Sequence, residues 1–239
     1  MKNRKNHASK KITAAIAVAA VALIAFGGIT GARAALTYSE IFRSDFGTQN
    51  IGVGLVEQTG TNDAEQIPDD GELLTKLVGE DESFIVGKVY DELLSAENTG
   101  TIDEYVRMTV RKYWLDGNGK RVDLSPELIN LTFNEDEWIM VDTDPADETI
   151  VLYYKAPLTT EQGTTEEAVK TIGVDSEIAK YVDQTITGKT IQTEFAYDGL
   201  QIALDVDVDG VQTHHAQDAM LSAWGVNATF SGDALTAVN

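Results

Sequence analysis

The sequence predicts an all-β protein: a jelly-roll-like antiparallel β-sandwich with one or two short helices. Three observations carry that expectation. Val106, Met108 and Val110 alternate strictly with Arg107, Thr109 and Arg111, the period of two expected of a half-buried strand. Asp116-Gly117-Asn118-Gly119 follows directly and supplies residue pairs that tolerate positive φ, a hairpin signal. Apolar runs of strand length then recur along the chain with turn residues between them, and no tandem repeat interrupts the series.

Taken in order, residues 1–34 read as an export segment. Met1 to Lys11 is basic, Ile12 to Thr30 is apolar or small, and Ala32-Arg33-Ala34 forms an A-x-A peptidase site with Ala35 following. The expected cleavage therefore involves Ala32, Ala34 and Ala35. The alternative is a retained anchor, since Ile12–Thr30 is just long enough to span a bilayer. Residues 35–56 are expected to form an N-terminal arm and first strand. The arm carries Leu36, Tyr38, Ile41 and Phe46, and Ile51-Gly52-Val53-Gly54 alternates apolar residues with glycines that invite close approach by another backbone.

Residues 57–230 are expected to form the sandwich domain. Glu57 to Asp70 is polar and turn-rich and reads as a loop. Gly71 to Val78 fits either a short helix or an irregular connection. The run containing Val89, Tyr90, Leu93 and Leu94 and the alternating stretch from Val106 to Arg111 read as strands meeting at the polar corner Asn98-Thr99-Gly100. Leu128–Phe133 and Glu137–Asp142 read as strands around an acidic turn, and the β-branched and aromatic run Thr149–Tyr154 as another. Glu166–Val182 is ambiguous between helix and strand. Thr190–Val211 is the longest β signal, with Leu200, Ile202, Leu204, Val206 and Val208 on one face and Asp205, Asp207 and Asp209 on the other. Ala216–Trp224 reads as a helix capped by Gly225. Residues 231–239 are expected to be frayed.

Composition narrows the function classes. The whole chain has 18 basic and 39 acidic residues and no cysteine. Six of the basic residues lie in the first 34, so the mature chain keeps 12 against 39, a charge of −27. Such a surface repels nucleic acid and anionic lipid, which argues against both as partners. Disulfides and cysteine-ligated metals are excluded.

The chemistry-bearing patterns are weak. Asp205-Val206-Asp207-Val208-Asp209-Gly210 imitates the start of a calcium loop, but its twelfth position is Ala216 where a bidentate acid is required. The three acids instead project from one strand face, about 7 Å apart. His214 and His215 are adjacent, so a helix would point them about 100° apart, unlike the paired ligands of a zinc-protease helix. No G-x-S-x-G and no phosphate loop occurs. Trp114, Trp138 and Trp224 read as core or edge aromatics. No catalytic, cofactor-binding or metal-ligating residue is assigned, and no cofactor is expected.

Three stretches together resemble the TasA/camelysin family of exported Gram-positive proteins. They are the export segment KKITAAIAVAAVALIAFGGITGARAAL, the strand–corner–strand stretch with Asn98-Thr99-Gly100-Thr101 and Glu104-Tyr105-Val106-Arg107, and Val208 to Ala219 with Ser222-Ala223-Trp224-Gly225. The first is similar to segments processed by the SipW-type signal peptidase. The family-like segment after the signal is only approached, by Phe42-Arg43-Ser44-Asp45 and Phe46. The resemblance implies a secreted structural protein of the cell surface or biofilm matrix. Its partners would be signal peptidase during export and then copies of itself, as a homo-oligomer or fibre. Membrane contact would be confined to the N-terminal segment before cleavage. Two alternatives stand beside it: a surface metallopeptidase of camelysin type and a monomeric surface binding module. Strand addition by the arm is the assembly mode the residues suggest.

Overall fold

The structure is a computed structural model that describes residues 49–60, 62–69, 71–79, 84–141, 147–187, 190–195, 197 and 199–239. The expected cleavage site Ala32, Ala34 and Ala35 and the expected arm up to residue 48 lie outside the described residues. The fold is an antiparallel all-β sandwich, as the alternation predicts.

One sheet contains β1 (Val53–Thr59), β2 (Glu65–Ile67), β3 (Val89–Asn98), β6 (Ile129–Phe133) and β9 (Val169–Val174), in the order β2-β1-β3-β9-β6. The other contains β4 (Glu104–Asp116), β7 (Trp138–Val141), β8 (Thr149–Tyr154) and β12 (Gln201–Gln212), in the order β12-β4-β8-β7, with β5 (Gly119–Arg121) folded onto β4. The Asn98–Thr101 corner is an arch, because β3 and β4 belong to different sheets. The Asp116–Gly119 turn is a hairpin, pairing Asp116 with Gly119 and Trp114 with Arg121. β10 (Val182–Thr187) and β11 (Thr190–Phe195) form a separate ribbon. The helix α1 (Ala216–Trp224) ends at Gly225, whose φ of 72° sits in the left-handed region.

Period two sets the core. Val106, Met108 and Val110 of β4 and Leu152 of β8 meet Leu94 and Ala96 of β3 and Val169 of β9 between the sheets. Met108, Leu152 and Leu94 are each 0% exposed, and each such side chain contributes roughly 1.5–3 kcal/mol by leaving water. The odd residues of β4 face the other way. At the start of the strand Tyr105 is also buried, with Tyr153 and Val211, beneath α1 and a C-terminal hairpin. Further along, that outer face carries a ladder of polar pairs. Arg107 donates through Nε and Nη2 to Asp209 at 3.1 and 2.6 Å, Arg111 pairs with Asp207, and the Tyr113 hydroxyl donates to Asp205 at 3.1 Å.

Four expectations need correction. Residues 231–239 are not frayed: β14 (Ala234–Val238) pairs with β13 (Ala228–Ser231), and Leu235 is buried in the second core. The apolar alternation there is short, but the Ser231–Asp233 turn returns it onto a ready partner. Glu57–Asp70 is not one loop, since β1 runs on to Thr59 and β2 occupies Glu65–Ile67. Val53–Val56 is not available for donation, because β1 pairs with β3 from Val53 to Thr59 and with β2 from Leu55 to Glu57. Thr190–Val211 is two strands, separated by a turn at Tyr197–Leu200. The ambiguous Glu166–Val182 resolves into β9 followed by a 3-10 turn at Ser176–Lys180, and Gly71–Val78 is irregular.

Candidate functional site

The most distinctive surface of the sandwich is the outer edge of β12. Among the described strands this twelve-residue strand pairs only with β4, from Gln201↔Leu115 to Gln212↔Glu104. A strand of that length with one side unpaired presents a row of N–H and C=O groups to any extended chain. Alongside it runs an open cleft of about 1250 Å³ between the two sheets, with Val53, Leu55, Leu204 and Val206 on the inside and Arg111 and Asp207 on the outside. Its lining is mixed, with Gln66, Thr99 and Thr109 among the apolar side chains and charged groups at the rim, which suits an extended segment whose side chains alternate.

The chain enters the sandwich at the pole where β12 ends. Thr99 and Gly100 donate their N–H groups to the Gly52 carbonyl at 2.8 and 3.1 Å, and Thr101 N–H donates to the Asn50 carbonyl at 2.9 Å. The Asn50 N–H returns a bond to Thr101 Oγ1 at 2.9 Å. Asn98 braces the corner: Oδ1 accepts from Gly100 N–H at 2.9 Å, and Nδ2 donates to the Ile102 and Leu158 carbonyls at 2.9 and 3.2 Å. The two backbones touch. A β-carbon at Gly100 would stand 2.6 Å from the Asn50 oxygen and 2.7 Å from the Gly52 nitrogen. The close approach expected at Gly52 is therefore real, and Gly100 is its counterpart. Asn50 to Gly52 form a clamped root for whatever precedes them.

Three carboxyl groups lie on the inward faces of strands. Glu92 of β3 is 0% exposed and in phase with Tyr90, Leu94 and Ala96. Burial, and then Glu57 beside it, pushes its carboxyl far above the usual carboxylate range, although neither oxygen completes a hydrogen bond. Glu57 in turn accepts from the Leu74 N–H at 2.7 Å, and Leu74 holds a left-handed φ of 65°. Glu104 of β4 is also 0% exposed, in phase with Val106 and Met108. Burial pushes it up to about 8; the backbone of Gly52 offsets this, without completing a hydrogen bond to either oxygen. Lys112 sits on the same face of β4, where burial lowers its pKa and its Nζ donates to the Ile129 carbonyl at 2.7 Å. It stands eight residues from Glu104, about 27 Å along the strand, too far to neutralise it.

These acids carry no positional motif, but each interrupts an apolar face in phase, and that phase is the signal that identifies them. The residues that chemistry-based patterns single out are placed differently. Asp205, Asp207 and Asp209 lie on the outer face of β12, partnered by Tyr113, Arg111 and Arg107. His214 and His215 stack edge-to-face with ring centroids 4.1 Å apart at the start of α1, where His215 takes a left-handed φ of 54°. Among the described residues, no three His, Asp or Glu side chains converge to hold a metal ion. Trp114 and Trp138 are core residues, and Trp224 packs at the edge with the Arg107 guanidinium 5.2 Å above its ring. Comparisons with family models, curated proteins and solved structures returned no match.

Proposed function

We propose that this chain is an exported structural protein of the cell surface or matrix that assembles with itself by strand addition. The arm of one copy, residues 35–48, adds to the free edge of β12 in the next. The observation that carries this is the twelve-residue edge with the open cleft that runs alongside it.

Two further features support it. Fourteen extended residues reach about 46 Å, and twelve β residues cover about 40 Å, so the arm matches the edge in length. The arm root and the end of β12 share one pole, since Val53 pairs with Asn98 and Gln212 with Glu104. An arm folding back along its own β12 would run parallel to it. An arm reaching forward from a copy stacked on the opposite pole runs antiparallel, the sense of every pairing in both sheets. Such a head-to-tail contact does not close, so it propagates a filament.

The test compares a chain beginning at Ala35 with one beginning at Gln49, which keeps the whole clamped root. Light scattering and negative-stain microscopy at rising concentration should show filaments from the first and monomers from the second. Equal behaviour of the two retires the arm as connector.

A further inference from the structure

We propose that Glu104 is a proton-operated latch for the root of the N-terminal arm. Resting on the assembly reading only for its consequence, the latch is otherwise a property of the folded chain.

The carboxyl of Glu104 is sealed by the root itself. Gly210 of β12 lies against it; a β-carbon there would stand 2.6 Å from Glu104 Oε2, 3.0 Å from Ile51 and 3.1 Å from Val53. Ile51, 4% exposed, and Val53 therefore close over Gly210 and over the carboxyl beneath. The backbone of Gly52 also approaches the carboxyl, and the Glu104 backbone is held by Leu158, with which it exchanges N–H···O bonds at 3.1 and 2.7 Å. None of these groups titrates. On the elements around it, Arg107 and Asp209 pair with each other on the opposite face of the sheet, and Asp103 accepts from the Thr160 N–H at the surface. Glu57 is the next acid on the inward face of β1, four residues beyond Val53 and about 13 Å along the strand.

A carboxylate in this seam has neither counter-charge nor hydrogen bond, and a dry unpaired charge is costly. With the root seated, the group holds a proton up to about pH 8. When the root lifts, water reaches it and it returns to the ordinary glutamate range near 4.3. Seating thus takes up a proton and lifting releases one. The lifted fraction rises about tenfold per pH unit between those values and levels off above the upper one. Acid sets the base of the arm firmly; mild alkali frees it.

Amide hydrogen exchange on the chain beginning at Ala35 reads this directly. The N–H groups of Thr99, Gly100 and Thr101 are bonded to the root and report its seating. After correction for intrinsic base catalysis, their opening should increase about fiftyfold from pH 6 to pH 8, and Glu104→Gln should flatten that rise. A flat wild-type profile, or an equal rise in Glu104→Gln, overturns the latch. Two checks separate local from global opening. Glu92→Gln should leave the root slope intact while flattening part of the pH rise at the Met108 amide in mid-β4, which opens only globally and so reports Glu92 as well as Glu104. Loss of the root slope in Glu92→Gln, or root amides that open to the same extent as the Met108 amide at every pH, overturns the proposal even where Glu104→Gln does not fold. A steep root slope without filaments leaves the latch standing and retires the assembly reading; filaments with a flat slope do the reverse.

Discussion

Replacing Glu92 with glutamine should stabilise the protein at neutral pH and leave it almost unchanged in acid. Glu92 is wholly buried on the inward face of β3, beside Glu57, and burial followed by that neighbour raises its pKa beyond neutrality. The folded value exceeds the unfolded one, which lies near 4.3. The contribution is therefore complete below the unfolded value and is lost as pH rises toward the folded one. Each unit of pH costs about 1.4 kcal/mol, so roughly 3 kcal/mol disappears between pH 4.5 and pH 7 through this one group. A glutamine cannot ionise, and its amide brings donors that can turn toward Glu57. Urea midpoints at pH 4.5, 6, 7 and 8 should show the variant and the wild type coinciding in acid and separating by up to about 3 kcal/mol at pH 7. Because both proteins share the same acidic surface, the difference isolates Glu92. A gap that stays constant with pH refutes the reasoning.

Other perturbations test the remaining parts. Gly100→Ala drives a β-carbon into the Asn50 and Gly52 backbone and should cost about 1–3 kcal/mol; Gly117→Ala, which meets nothing within 4 Å, should cost under about 0.5 kcal/mol. Thermal unfolding distinguishes the two. Arg107→Ala should lose about 1 kcal/mol, because it gives up a two-bond pair with Asp209 and its place over Trp224. The more exposed Arg111–Asp207 pair should yield under about 0.5 kcal/mol in a double-mutant cycle. Truncation after Gly232 removes β14 and the buried Leu235, and should lower stability by at least about 3 kcal/mol in urea titration.

Where period two was strong, the sequence sufficed. The alternation of β4, the run Thr149–Tyr154, the Asp116–Gly119 hairpin and the helix closed by Gly225 all occur as read. The misreadings share a cause: the partner, not the segment, supplied the decision. Ala234–Val238 is too short and small to declare itself, yet Phe230, Met220 and Tyr105 offer a surface for Leu235. Glu57 looks like a loop residue until Leu74 supplies its hydrogen bond and the sandwich closes over it. Glu92 and Glu104 were legible as in-phase interruptions, but composition hid them among 39 acidic residues. The edge of β12 that no other described strand pairs could not be read from sequence at all, because an edge is defined by which strands fail to reach it.

The central claim is that residues 35–48 complete the edge of β12. A synthetic peptide of those residues, added to the chain beginning at Gln49, tests it without requiring filaments. Binding should saturate at one peptide per chain, with new hydrogen-exchange protection confined to alternate amides of β12 and an antiparallel register. Absence of binding, or protection appearing at β7, β6 or β2 instead, contradicts it.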